Sequence, residues 1–259
     1  MAFSPDFRST SRATGTGAQA GVIDAGLRGY MLRVYNWMTS GLLLTGIVAY
    51  GVSHTALRDL FYHAVETTSG GVAIRPTGLG FLSIFAPLGF VLVMSFGVNR
   101  LSKQAVQGLF WAFCGVMGIS LTNIFLVYTE TSVVRVFFIT AATFAAMSLW
   151  GYSTKTDLTK FGSFLIMGVF GILIAMLVNM FMHSSGLQLM ISFLGVLIFT
   201  GLTAYDTQRI KLSYGQFAAY EGVEQAGKRS VYDALNLYLN FINMFQFMLA
   251  LTGSRNSSN

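Results

Sequence analysis

Seven long apolar stretches constrain this chain more than any other feature of its sequence. A helix needs about 20 apolar residues to cross the hydrocarbon core of a bilayer. The stretches run over residues 31–52, 79–98, 104–128, 131–152, 161–182, 187–209 and 230–252. The boundary between the third and the fourth, near Glu130, is the least sharply marked. The pattern predicts an all-α membrane protein with seven transmembrane helices.

The composition excludes the main alternative classes. Only 10% of the 259 residues are charged, whereas about 25% is usual for a soluble domain. So few charges cannot cover a water-exposed surface, and 23 Phe with 11 Tyr exclude an intrinsically disordered chain. The net charge of +6 is not gathered into a basic run with interleaved aromatic residues, so nucleic acid is not an expected partner. The expected surroundings are a lipid bilayer.

The distribution of Lys and Arg predicts the orientation in the membrane. Alternate connections, counted with the tails, carry twelve of these residues on one side and four on the other. By the positive-inside rule the N-terminus is cytoplasmic, and an odd number of spans places the C-terminus outside. We therefore predict a flexible cytoplasmic tail over residues 1–29, a transmembrane domain over 30–252 and a short extracytoplasmic tail over 253–259. The long outer loop over 53–78 is expected to be partly structured.

No catalytic centre is apparent in the sequence. The three histidines form no HExxH pattern, and neither a GxxxxGK[ST] loop nor a GxSxG elbow occurs. The single cysteine, Cys114, excludes a disulfide within the chain and a cysteine-based metal cage. We expect a protein that is not an enzyme and that has no metal site and no cofactor.

Two acidic residues near the last two stretches are candidate functional groups, because an ionisable residue within a span is costly and commonly functional. Asp206, in the run TAYDTQRIK, is either an interfacial acid paired with Arg209 one turn away or a buried functional carboxylate. The apolar, aromatic run before it favours the buried carboxylate. Asp233 is expected to act mainly as an acid early in its helix, where the helix dipole favours negative charge.

A polar stripe marks the last apolar stretch. Asn236, Asn240 and Asn243 are spaced four and three residues apart and share one helix face, and Asp233 continues the stripe. Amides that face lipid lose their hydrogen bonds, so we expect the stripe to face other helices or a water-filled cavity. It serves either as a hydrogen-bonding contact between helices or as the lining of an ion path, and the spacing does not distinguish the two.

Three runs carry a resemblance to a known family: SLWGYSTKTDLTKFGSFLIMGVFGILIAMLVNMF, GLTAYDTQRIK and ALNLYLNFINMFQFMLAL. Over roughly residues 25–252 the chain resembles the Bax inhibitor-1 (transmembrane Bax inhibitor motif) family in its bacterial branch. The resemblance implies a seven-helix fold whose last helix is central and wrapped by the other six. It also implies a pH-sensitive calcium leak and, as in some bacterial members, association with a membrane-bound protease.

The resemblance also implies where a pH sensor lies. In the family this sensor is a pair of aspartates, one on each of the last two helices, that share a proton. Asp206 matches the first aspartate, but the second position, before FIN, is Asn240 in this chain. An Asp–Asn pair has no like-charge repulsion, so the change implies a weakened or displaced pH switch. The acid that members often carry in the second span is absent from residues 79–98, and Arg100 matches a basic latch at the inner end of that span.

Helix lengths suggest a second pairing. At 1.5 Å per residue, Asn240 lies about 15 Å inside its stretch, whereas Asp206 lies near the inner surface, so Asp233 is its more level neighbour. We favour the pairing of Asp206 with Asn240. The resulting hypothesis is a bacterial inner-membrane protein with a mostly closed cation pathway, gated by Asp206 and lined by the asparagine stripe. The alternatives are a non-conducting regulator of a membrane protease and a proton-coupled transporter for a small solute.

Overall fold

The described part of the chain folds almost entirely into helices. The computed structural model describes residues 13–66, 72–97, 100–217 and 222–256. The helices are α1 Ala13–Ser53, α2 Arg58–Phe61, α3 Gly78–Gly97, α4 Lys103–Ser120, α5 Thr122–Val127, α6 Glu130–Ser153, α7 Thr159–Met182, α8 Ser185–Phe217 and α9 Val223–Thr252. One antiparallel hairpin, β1 Tyr62–Glu66 with β2 Val72–Pro76, lies between α2 and α3. The predicted all-α class is confirmed.

Six spans in the described part of the chain are long and apolar enough to cross a membrane. They are α3, α4 together with α5, α6, α7, α8 and α9. The helix α1 is 41 residues long but is not among these six, because polar residues such as Arg33, Asn36 and Ser40 interrupt its apolar part. The count of seven spans therefore stays a prediction.

Local sequence explains where the middle helices begin. α4 follows Ser102, whose hydroxyl accepts a hydrogen bond from the amide of Ala105 (3.2 Å). α6 follows Thr129, whose hydroxyl accepts one from the amide of Ser132 (3.4 Å). Such caps satisfy amides that a helix start leaves unpaired. Between these caps the helix is interrupted at Leu121, so the predicted third stretch consists of two helices, α4 and α5.

The last helix is the most deeply buried of the six candidate spans. In its most apolar part 61% of the residues are buried, more than in the other five candidate spans. It packs against α1, α4, α6 and α8, while α7 packs on α8 and α3 packs on α4. Fully buried side chains of α9, such as Tyr238 and Met244, form part of the hydrophobic core. That all six other spans surround α9 stays a prediction.

Helix α1 and backbone hydrogen bonds extend past both predicted boundaries of the transmembrane domain. α1 begins at Ala13, inside the predicted tail, and Leu27 is already buried in the core. Residues 1–12 lie outside the described residues. At the other end, the amide of Thr129 donates to the carbonyl of Ser254 (3.0 Å) and the amide of Asn256 donates to that of Val127 (3.0 Å). Backbone hydrogen bonds therefore attach the start of the predicted C-terminal tail to the connection between α5 and α6.

Topology reporters test the predicted orientation. A reporter fused after residue 259 is expected to read as extracytoplasmic, and one inserted between the end of α8 and the start of α9 as cytoplasmic, because the Lys and Arg excess lies on that side. Alkaline phosphatase and green fluorescent protein fusions report the two sides. Two cytoplasmic signals contradict the seven-span count.

Candidate functional site

The structure brings Asp206 and Asn240 into direct contact. Asp206 lies on α8 and is 7% exposed, and Asn240 lies on α9 and is 5% exposed. The side-chain amide of Asn240 donates to Oδ2 of Asp206 at 2.6 Å. A hydrogen bond to a carboxylate is shorter and stronger than one between neutral groups. This bond therefore joins α8 to α9 in the interior of the bundle.

The second oxygen of the same carboxylate is paired with an arginine. The guanidinium of Arg209 lies 3.0 Å from Oδ1 of Asp206, one turn along α8, and its side chain is 42% exposed. The two sequence hypotheses for Asp206 are therefore not exclusive: the residue is buried and also paired with Arg209. Asn240 holds the carboxylate from the inside, and Arg209 holds it from the side open to solvent or headgroups.

Asp206 and Asn240 do not have the difference in depth that the apolar stretches predicted. The ends of those stretches are not the helix ends, because α8 continues to Phe217 and α9 begins at Val223. The direct contact between Asp206 and Asn240 shows that these two residues are level although they lie at different distances from their helix ends. Helix ends in a hairpin need not be level, and sequence alone does not reveal their offset.

Asp233 makes a different contact from the one expected. The hydroxyl of Tyr30 on α1 donates to Oδ2 of Asp233 at 2.6 Å. Because α9 begins at Val223, Asp233 lies more than two turns inside the helix, beyond the first turn in which the helix dipole acts. It lies within electrostatic reach of Asp206, Arg209 and Arg229. The two acids and the two arginines therefore form one charged cluster where α1, α8 and α9 meet.

The remaining asparagines of the stripe do not join helices in the same way. The side-chain amide of Asn243 donates to the carbonyl of Leu239 in its own helix (2.9 Å). Asn236 is half-buried, and among the described residues no hydrogen bond links it to another helix. Their role as a pathway lining stays a prediction.

Comparison with known proteins agrees with the resemblance seen in the sequence. The family model described as the inhibitor of apoptosis-promoting Bax1 matches residues 27–257, a range that includes the whole charged cluster. The chain belongs to the Bax inhibitor-1 family. The resemblance inferred from three sequence runs is confirmed, and this family member is a membrane protein.

Several relatives match this Bax inhibitor-1 family protein over most of their length. A protein of Rickettsia prowazekii is 44% identical over 232 residues, which cover 90% of this chain and 92% of the relative. A protein of Caulobacter vibrioides is 42% identical over 232 residues, covering 89% and 90%. The inner membrane protein YbhL of Escherichia coli K12 is 40% identical over 234 residues, covering 89% and 94%.

The residue that matches the family's basic latch lies in a connection of this Bax inhibitor-1 family protein. Arg100 is exposed between α3 and α4, and its backbone amide donates to the carbonyl of Gly97 (2.9 Å). Among the described residues, the basic group paired with Asp206 is Arg209 rather than Arg100. A latch role for Arg100 stays a prediction.

Two hydroxyl contacts near the site were missed by the sequence analysis. Tyr35 on α1 hydrogen-bonds Ser148 on α6, and Ser148 in turn bonds Thr207 on α8 (2.9 Å), next to Asp206. These two hydrogen bonds connect α1, α6 and α8 beside the charged cluster. Isolated hydroxyl residues in apolar helices carry no spacing signal, so only the packing reveals their partners.

A further pair of hydroxyl contacts that the sequence did not reveal joins α1 to α9 and α4. The hydroxyl of Thr45 on α1 bonds the hydroxyl of Tyr238 on α9 (2.7 Å) and donates to the carbonyl of Cys114 on α4 (2.9 Å). Both hydroxyl-bearing residues are buried. Within the described residues, no group of three or more His, Cys, Asp or Glu side chains is placed to hold a metal ion.

Proposed function

We propose that this protein is a pH-sensitive cation leak of the inner membrane, with Asp206 as its gate carboxylate. The observation that carries the proposal is the buried Asp206–Asn240 contact between α8 and α9, with Arg209 on the other carboxylate oxygen. A charged residue inside a bundle is costly and marks an ion or proton pathway more often than a structural contact. The relative YbhL supports the inner membrane as the location.

Protonation gives this contact two states. When Asp206 is ionised, both of its oxygens accept charge-assisted hydrogen bonds, one from Asn240 and one from Arg209. When it is protonated, the attraction to Arg209 disappears, and the half-exposed guanidinium can turn to water or headgroups. Asn240 still donates to the remaining acceptor. Acidification therefore loosens one side of the contact only, and the resulting pH response is shallow.

Calcium is the ion that we propose for the pathway. Ca²⁺ binds oxygen ligands such as carboxylates and amide carbonyls. Asp206 and Asp233, which lie within electrostatic reach of each other, supply such oxygens, and Asn236 follows Asp233 by one turn of α9. The contact of Asp233 with Tyr30 extends this polar region to α1. On this proposal, the bonds of Asp206 to Asn240 and Arg209 hold the pathway closed.

A specific observation favours a second candidate, a non-conducting regulator of a membrane-bound protease. Position 240 carries an amide that cannot ionise, and both carboxylate oxygens of Asp206 are already engaged. Such a contact can act as a fixed joint that stabilises the bundle. The partner would then bind an outer helix face such as that of α7, where Phe164, Phe170 and Phe181 are exposed. A proton-coupled transporter is the third alternative. Flux measurements in liposomes with and without a proton gradient distinguish it from the other two.

Calcium flux into liposomes separates these functions. Purified protein is expected to pass Ca²⁺ above the level of empty liposomes, and Asp206→Asn is expected to raise the leak because the closed state loses its ion pair. Loss of a charge-assisted bond of about 1.4 kcal/mol corresponds to about a tenfold change in the closed-to-open ratio. The same variant is expected to lose the pH dependence of the wild-type leak.

Asp59→Asn is the matched control. Asp59 is an exposed residue of α2 whose carboxylate also pairs with an arginine, Arg58 (3.2 Å). The substitution removes the same charge from a helix that packs mainly against α3 and β1, so its leak should equal that of the wild type. Flux no greater than that of empty liposomes at every pH overturns the channel proposal in favour of the regulator. A leak that depends on a proton gradient and a co-solute indicates the transporter.

A further inference from the structure

A long groove lies between α1 and α6 on the side of the bundle, and the hydrogen bond between Tyr35 and Ser148 crosses it near one end. α1 packs against α4, α5, α8 and α9, and α6 packs against α8 and α9, whereas between α1 and α6 lies a cavity of about 1090 Å³. A second cavity of about 300 Å³ continues it between the same two helices. Phe241 of α9 lines both cavities and forms the floor. We name these two cavities together the α1–α6 groove.

Polar and apolar residues are segregated along the α1–α6 groove. One end is lined by Arg28, Tyr35, Thr39, Ser148 and Tyr152. The middle is mainly apolar, with residues such as Leu43, Ile47 and Phe137, and Thr45, Tyr50 and Glu130 line the part nearer the other end. From Arg28 to Tyr50 the groove follows 23 residues of α1. At 1.5 Å per step this is about 33 Å, which matches the thickness of a bilayer core.

The polar end of the groove is also cationic. Arg28 is exposed there and lines the cavity. The ammonium of Lys211 lies 4.8 Å above the ring of Tyr152, which lines the same end, and donates to the carbonyl of Tyr152 (2.7 Å). Basic pockets between transmembrane helices on the cytoplasmic side bind anionic lipid headgroups. Guanidinium groups also bind phosphate through two parallel hydrogen bonds.

We propose that the α1–α6 groove is a binding site for one anionic phospholipid. Arg28 and Lys211 face the phosphate headgroup, and the acyl chains lie along the apolar part of the groove over Phe241. The cationic end and the apolar lining beyond it match an amphiphile with an anionic headgroup, whose acyl chains fill the leaflet half of the groove next to Arg28. The predicted orientation places the headgroup in the cytoplasmic leaflet.

Native mass spectrometry of the purified full-length protein tests this site. The protein in nonionic detergent is titrated with phosphatidylglycerol and, separately, with phosphatidylcholine of the same acyl chains. The wild type is expected to bind one phosphatidylglycerol more tightly than any phosphatidylcholine. Arg28→Gln should weaken binding of that first phosphatidylglycerol about fivefold, as expected for one basic residue near an anionic lipid, and should leave phosphatidylcholine binding unchanged. Arg33→Gln is the matched control, because Arg33 is exposed on the same end of α1 but lines a different cavity.

A second pair of variants tests the apolar part of the groove. Ala145 and Ala146 are neighbouring exposed residues of α6, but only Ala145 lines the groove. Ala145→Phe is expected to block the first site for both lipids, and Ala146→Phe to bind lipid like the wild type. Gly46→Leu fills the groove from α1, where an added side chain meets open space. It keeps the test decisive if Ala145→Phe fails to fold.

Defined outcomes overturn the proposal. These are equal binding of phosphatidylglycerol by the wild type, Arg28→Gln and the groove-filling variants, or an equal loss in Arg33→Gln and Ala146→Phe. A wild-type dimer that Ala145→Phe converts to a monomer also overturns it, because a second copy of the chain then occupies the groove.

Discussion

Asn240→Asp is expected to produce a leak that rises steeply with pH. The substituted carboxylate takes the place of the amide that lies 2.6 Å from Oδ2 of Asp206. At low pH the two acids share a proton, and the resulting hydrogen bond keeps α8 on α9. At high pH both ionise, and Arg209 offsets only one of the two charges. Repulsion of about 2.7 kcal/mol between them would change the closed-to-open ratio about a hundredfold.

Paired flux curves from about pH 5 to 9 measure this effect, a window that brackets the titration expected for coupled carboxylates. The wild type should respond weakly, because Asn240 does not ionise. Asn243→Asp is the control, since it makes the same change on the same helix at a residue that bonds only its own backbone among the described residues. Identical curves for the wild type and Asn240→Asp would contradict the proposal that this pair acts as a gate. Asp233 would then be the next residue to substitute.

Gly151→Ala is expected to cause a large loss of stability from a single methyl group. Gly151 lies in α6 where it crosses α8, and a Cβ at this position overlaps the carbonyl oxygen of Ala204. Both partners are helix backbone, which cannot rotate away as a side chain can. The helices must therefore separate, which for overpacking in a tight core costs about 3 kcal/mol. The neighbouring bond between Ser148 and Thr207 would be lost with them.

Thermal unfolding in detergent checks this expectation. Gly171→Ala is the matched control, because Gly171 is also inside a helix, α7, and an added Cβ there meets open space. That control should raise the midpoint slightly, since alanine favours a helix over glycine by about 1 kcal/mol. Equal unfolding midpoints for the two variants would show that Gly151 of α6 does not lie in close contact with the Ala204 carbonyl of α8.

Much of the fold was predictable because the bilayer imposes a strict length on an apolar helix. The break near Glu130 and the ends of α3, α6 and α7 lie within a few residues of the predicted stretches. The stretch containing Asp206 was less predictable, because the charged and polar residues after it do not end α8, which continues to Phe217. A helix can leave the membrane without ending, so hydropathy marks the membrane boundary and not the helix end.

The sequence by itself determined that this is an α-helical membrane protein of the Bax inhibitor-1 family, and it singled out Asp206 and Asn240. Only the tertiary structure decided that Asp206 bonds both Asn240 and Arg209, that Tyr30 holds Asp233, and that α1 and α6 leave a groove between them. The physical reason is that lipid-facing and buried helix faces are both apolar. Periodicity therefore does not show which face meets which neighbour, and the contacts between helices are set only when they pack.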